Sequence, residues 1–133
     1  MRVLFIGGTG IISSGCARRL VERPGVQLSF LTRGQTSRPV PKGVEVIQGD
    51  VRDPASVRAA LGERTFDAVV NWVAFTTAHV QADIYFFRGR TGQYLFISSA
   101  SAYQTPPARL PVTESTPLKN PFWQYSRDKI ACE

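Results

Sequence analysis

The stretch Val3–Gly15, VLFIGGTGIISSG, constrains what this chain can fold into more than any other feature. Val3–Ile6 is apolar throughout and reads as a strand covered on both faces, ended by glycines that permit a tight turn. Gly7 can take the backbone angles of that turn, and Gly10 lets a pyrophosphate approach the main chain. The helix that follows offers free N–H groups and a partial positive charge. That helix is legible: Ile12, Cys16 and Leu20 recur every four residues, Arg18, Arg19 and Glu22 lie off their face, and Arg23-Pro24-Gly25 ends it. A strand, a glycine turn and an amphipathic helix in succession form the context in which such glycines bind a dinucleotide instead of only reversing the chain. Where the spacing G-x-x-G-x-x-G has a third glycine, Ser13 stands, which predicts looser packing of the helix on the sheet.

The same alternation continues. Gln27–Leu31, Val44–Ile47, Ala68–Asn71 and Tyr94–Ile97 read as further strands. Asp53 and Pro54 read as the N-cap and first residue of a second helix whose inner face is Val57, Ala60 and Leu61. A third helix is expected over His79–Phe87, and a long loop over Gln104–Thr116. Apolar strands separated by helices predict a doubly wound α/β parallel sheet of about five strands in a single domain, with ligands bound beyond the carboxyl ends of the strands.

The chain has 133 residues and a formal charge of +6, from thirteen arginines and three lysines against ten acids. That balance suits an anionic partner, but only Arg18 and Arg19 are adjacent, so no basic run marks a nucleic-acid groove. The apolar run at the N-terminus is too short for a signal or a membrane span, which predicts a cytoplasmic protein. Cys16 and Cys132 fit no metal spacing and read as reduced thiols, and no His, Cys or carboxylate cluster suggests a metal. His79, the only histidine, is expected in a surface or capping role.

After the second strand, a site selective for an unphosphorylated ribose would place an Asp or Glu. This chain has Arg33, which can pair with a 2′-phosphate and so favours NADP over NAD; as a surface turn residue it would have no such role. Asp50, after the third strand, is at the level of an adenine amino group or is a simple turn aspartate. Near the end, Asn120 and Pro121 read as the N-cap and first residue of a helix carrying Tyr125 and Lys129 on one face. A free Tyr titrates near pH 10 and is a poor base at neutral pH, and a nearby ammonium stabilises its phenolate. By itself such a pair is ordinarily an exposed helix face. With a glycine loop upstream and a serine at a strand end it points to proton transfer.

GGTGII at the N-terminus, GDVRDP after the third strand, FISSASAY on the fifth and YSRDK on the last helix together resemble the extended or atypical short-chain dehydrogenase/reductases, the NAD-dependent epimerase/dehydratase group. The resemblance implies a Rossmann-like fold and a Ser/Tyr/Lys mechanism. Tyr125 and Lys129 fall on the Tyr-x-x-x-Lys pair and Ser99 on the catalytic serine, with Ser98 and Ser101 as the nearest alternatives. Gly7, Thr9, Gly10, Ile11 and Ile12 fall on the phosphate loop, and Asp50 and Val51 on the adenine contacts. Val73 and Ala74 fall beneath the nicotinamide ribose, which Lys129 would also hold.

The implied activity is an NAD(P)-dependent oxidoreductase, epimerase or dehydratase acting on a hydroxyl or carbonyl of a small polar metabolite such as a nucleotide sugar. A nucleotide-sensing or RNA-binding protein without turnover is the alternative on the same fold. Members of the group continue past the Lys helix into a C-terminal substrate lobe. Residues 1–133 are therefore expected to be the NAD(P)-binding domain of a longer enzyme, cut after that helix, or a reduced relative. The segment Phe75–Gln93, where the group builds its dimer, is short, which puts dimerisation of the family kind in doubt.

Overall fold

The computed structural model describes residues 1–133. Five parallel strands form one sheet: β1 (Arg2–Ile6), β2 (Gln27–Thr32), β3 (Glu45–Gln48), β4 (Phe66–Asn71) and β5 (Thr91–Phe96), in the order β3-β2-β1-β4-β5. The order reverses between β1 and β4, so the connections leave toward opposite sides of β1 and open a crevice above its carboxyl end. Phe5 stands opposite Phe30 and Val70, and Ile6 opposite Leu31 and Asn71.

Alternation along β1 divides the core in two. Val3 and Phe5 pack with Ala17 of α1 (Ile11–Val21), Leu28 and Phe30 on one face. Leu4 and Ile6 pack on the other with Val57 and Leu61 of α2 (Pro54–Leu61) and Phe87 of α3 (Thr77–Phe87). Each such Val, Leu, Ile or Phe side chain, removed from water, contributes about 1.5–3 kcal/mol. The α2 cap is as the sequence predicts: Asp53 accepts from the Ala55 N–H at 2.9 Å, with Pro54 at the first helical position.

Several local expectations change, and β4 begins at Phe66, two residues before the expected Ala68. Helix α3 begins at Thr77, two residues early, and β5 ends at Phe96 and begins at Thr91. Ser13 does not loosen α1: it is buried, and its hydroxyl donates to the Gly10 carbonyl at 3.2 Å. The last helix, α4 (Gln124–Cys132), starts at Gln124 with Trp123 as its N-cap, not at Asn120 and Pro121. Asn120 is held elsewhere: its Oδ1 accepts from the Phe122 N–H at 3.1 Å, and its Nδ2 donates to the Ser101 carbonyl at 2.8 Å. A side chain so engaged makes a local turn, and the helix begins three residues on, where the Trp123 carbonyl accepts from the Ser126 and Arg127 N–H groups. No helix is long and apolar enough to cross a membrane.

Candidate active site

The glycine turn closes tightly on its neighbours. Gly7 has φ +79°, and a Cβ there would lie 2.6 Å from Val73 Cγ1; a Cβ on Gly8 would lie 2.4 Å from the Phe30 ring. Only glycine fits either place, the first for its backbone angles and both for space. Gly10 is the N-cap of α1 with no side-chain cap, and the N–H groups of Ile11, Ile12 and Ser13 have no acceptor within the chain. Three free donors at a helix N-terminus, above a turn stripped of side chains, fit an anionic diphosphate.

Two connected hollows lie along the carboxyl edge of the sheet and meet at Gly7, Thr9, Thr36, Val73 and Phe75. The first, about 460 Å³, holds Arg33, Asp50 and Val51. The second, about 690 Å³, holds Gly10, Ile11, Ile12, Ser99, Tyr125 and Lys129. Ala74 lines neither; it is fully buried and supplies a carbonyl. The structure thus brings the loop, the serine and the Tyr/Lys helix around one hollow and puts the arginine and aspartate at the other end.

Lys129 is 2% exposed, yet its Nζ is well supplied with partners. It donates to the Ala74 and Ile97 carbonyls, each at 2.7 Å, beyond the ends of β4 and β5. It also lies 4.6 Å from the Phe96 ring centroid, 5.1 Å from Phe75 and 5.6 Å from Tyr125. Removal from water pushes its pKa down, while Cys132 and Glu133 push it back up. An ammonium carries three N–H donors, so two carbonyls leave one for a ligand.

Ser99 caps a short 3-10 turn, Ala100–Ala102, by accepting from the Ser101 N–H at 3.2 Å. Its hydroxyl lies 2.8 Å from that of Ser101, which in turn receives the Ser126 hydroxyl at 2.9 Å.

Under the junction of the hollows, Asn71 is fully buried and accepts from the Val73 N–H at 2.7 Å. Its amide donates to Asp83, which also accepts from Tyr94 OH at 2.6 Å. Burial raises the Asp83 pKa, against the pull of Tyr94, Asn71 and Arg52. Arg52 donates to the Val73 carbonyl. His79 Nδ1 accepts from the Phe75 N–H at 3.1 Å, a capping role, and burial lowers its pKa.

With that geometry in place, known proteins can be compared. The model of the NAD dependent epimerase/dehydratase family matches residues 3–91, and UDP-glucose 4-epimerase of Lactobacillus helveticus is 32% identical over 151 aligned positions, covering all of this chain and 45% of that enzyme.

The chain belongs to the NAD-dependent epimerase/dehydratase family.

Solved structures agree on the fold. UDP-glucose 4-epimerase from Bifidobacterium longum, in complex with NAD+ and UDP, superposes with a TM-score of 0.80 at 23% identity over 98% of this chain and 46% of that one. dTDP-glucose 4,6-dehydratase from Bacillus anthracis gives 0.76 at 17% identity over 99% and 48%. This family member spans about half the length of the relatives it matches.

Sequence reasoning missed several residues around the hollows. Arg38 donates to the Thr9 carbonyl at 3.3 Å across the glycine turn, and Arg52 and Asn71 brace Val73. Nothing in local spacing announces the two arginines, because each acts between segments far apart in the chain, whereas Asn71 bonds the N–H two residues on, a local turn its residue type permits. Ser126 follows Tyr125 directly, but its burial comes from contact with Ser101, twenty-five residues away, which the sequence does not announce.

Proposed function

We propose that this chain is the nicotinamide-dinucleotide-binding part of an enzyme that oxidises and reduces a sugar-nucleotide hydroxyl, with Ser99, Tyr125 and Lys129 as its catalytic residues. The observation that carries the reading is that the second hollow places those three side chains around the glycine turn and its free N–H groups. Gly7, Thr9, Gly10, Ile11 and Ile12 would hold the diphosphate, Asp50 and Val51 the adenine, and Arg33 a 2′-phosphate, which makes NADP the expected form. Val73 and Ala74 would lie beneath the ribose next to the nicotinamide.

When bound, the nicotinamide ring supplies hydride exchange. The protein does the rest. Tyr125 takes the proton from the substrate hydroxyl as it is oxidised and returns it on reduction. Lys129, 5.6 Å from the centre of the Tyr125 ring, puts a positive charge beside the tyrosine and would offer its third N–H to the ribose. Ser99 donates a hydrogen bond to the same substrate oxygen. The similarity to UDP-glucose 4-epimerase supports a uridine diphosphate sugar as substrate.

Titration of the purified chain with NADPH and NADH tests the cofactor reading. NADPH should bind more tightly, and Arg33→Ala should weaken NADPH alone, by about 2 kcal/mol for a charge-assisted contact. Equal loss for both nucleotides would remove Arg33 from the 2′-phosphate. In the full-length enzyme, Tyr125→Phe should abolish turnover with dinucleotide affinity retained; unchanged turnover would remove Tyr125 from the mechanism.

A further inference from the structure

Three polar side chains that the proposed mechanism does not use form a line ending at Ser99. The orientation of the Asn120 amide is fixed, because the Phe122 N–H donates to Oδ1 and leaves Nδ2 as the donating end. Nδ2 donates to the Ser101 carbonyl at 2.8 Å and to Ser126 Oγ at 3.4 Å. Ser126 is fully buried, and its one proton goes to Ser101 Oγ at 2.9 Å.

The direction of the last link follows by elimination. Ser99 and Ser101 lie 2.8 Å apart and either could donate. If Ser99 donated, Ser101 Oγ would receive two protons and its own would have no acceptor in the chain. If Ser101 donates, the one proton without an acceptor in the chain is that of Ser99, which lines the hollow and can meet water or substrate there, whereas Ser101 does not line it; a partly buried donor left unpaired is the costlier arrangement. Ser99 Oγ then accepts twice, from the Ser101 hydroxyl and from the Ser101 N–H at 3.2 Å. Both its acceptor positions are filled, so its own proton is left to face the hollow it lines.

We propose that Asn120, Ser126 and Ser101 are positioning residues, a one-directional hydrogen-bond chain that commits Ser99 to donating toward the reacting oxygen of the substrate. The chain rests on the reading of Ser99 as catalytic. Donors in series polarise one another, so each link strengthens the last. Ser126 is also the neighbour of Tyr125 on α4, so the same bonds set the register between the proton-transferring helix and the serine turn.

The first experiment is neutron diffraction from crystals of the full-length protein exchanged into D2O. The deuteron between Ser101 and Ser99 is expected on Ser101 Oγ, with that of Ser99 directed into the hollow. A deuteron on Ser99 pointing back at Ser101, or half-occupancy on both, overturns the proposal.

The second is a double-mutant cycle in the full-length enzyme, with UDP-galactose as the probe and dinucleotide saturating. Ser99→Ala should lower kcat by about a hundredfold, the scale for losing one donor to a developing oxyanion. Ser101→Ala should lower it about tenfold with KM and dinucleotide affinity within twofold, and Ser101→Thr should restore it. In the Ser99→Ala background, Ser101→Ala should cost nothing further, because the chain then has no end to orient. An equal loss in both backgrounds marks a merely structural role and overturns the proposal. If the unaltered enzyme does not turn over UDP-galactose, the substrate reading fails, and the deuteron positions decide the chain independently.

Discussion

Gly7→Ala tests the glycine turn most directly, because the structure supplies both parts of its cost. The residue sits at φ +79°, where an L side chain is disfavoured by about 1–2 kcal/mol. The new methyl would also meet Val73 Cγ1 at 2.6 Å, far inside contact distance. Val73 cannot withdraw freely, since its N–H is held by Asn71 and its carbonyl by Arg52. Forcing it aside costs about 1–3 kcal/mol by analogy with overpacked cores. Together these give about 2–5 kcal/mol, a large share of the stability of an ordinary domain. Gly10→Ala is the control: at φ −72° and ψ 171° its backbone suits any residue, and its Cβ would meet only the movable Ser13 hydroxyl at 3.1 Å. Its stability should stay within about 1 kcal/mol of the parent. Its methyl would nevertheless stand where a diphosphate approaches, so dinucleotide affinity should fall at least about tenfold. Urea unfolding of both variants, followed by tryptophan fluorescence, and NADPH titration of Gly10→Ala make the comparison. A Gly7→Ala variant within about 0.5 kcal/mol of the parent, the scale of a neutral surface change, would refute the reasoning.

Two further predictions concern pH. Burial lowers the Lys129 pKa from its ordinary 10.5, so between the two values the unfolded chain holds more protons and stability rises with pH. Lys129→Met should remove that rise, seen as urea midpoints from neutral pH to 10.5; an unchanged slope would refute it. Asp83 is shifted the other way, raised from 3.8 chiefly by burial, so the folded state holds its proton to higher pH. Its contribution is full below 3.8 and is lost as pH rises through the folded value. The stability of the parent relative to Asp83→Asn should therefore decline over that window, and a difference independent of pH would count against it.

Much of the fold was legible because its signals are local. The apolar run Val3–Ile6, the glycines after it and the Asp53-Pro54 cap each act within a few residues, and the structure reproduces the elements they predict. The start of α4 was misread for an equally physical reason. Asn-Pro is a good helix start by propensity, but the Asn120 side chain finds better partners in Phe122, Ser101 and Ser126, and these lie up to nineteen residues away. Ser13 was misjudged because a glycine pattern says nothing of a hydroxyl that can return its hydrogen bond to Gly10. The buried Asn71–Asp83–Tyr94 group left no trace in periodicity: Asp83 sits on α3 among apolar neighbours, and only the packed sheet brings Tyr94 to it.

The position of Lys129 ties the fold to the chemistry. The ladder between β4 and β5 makes its last bond from the Ile97 N–H to the Asn71 carbonyl, at 3.3 Å. The Trp72 N–H continues the β1–β4 ladder to the Ile6 carbonyl at 3.0 Å, and no further backbone bond joins the chain leaving β4 to the chain leaving β5. The Ala74 and Ile97 carbonyls lie beyond that last bond, one on each chain, without a backbone partner. Buried carbonyls without partners are costly, and the ammonium of Lys129 satisfies both at 2.7 Å. The lysine is therefore held in place by the two carbonyls that follow the β4–β5 ladder, one helical turn from Tyr125. Arginine would not substitute, since a planar guanidinium cannot reproduce a point donor between two carbonyls and three aromatic rings.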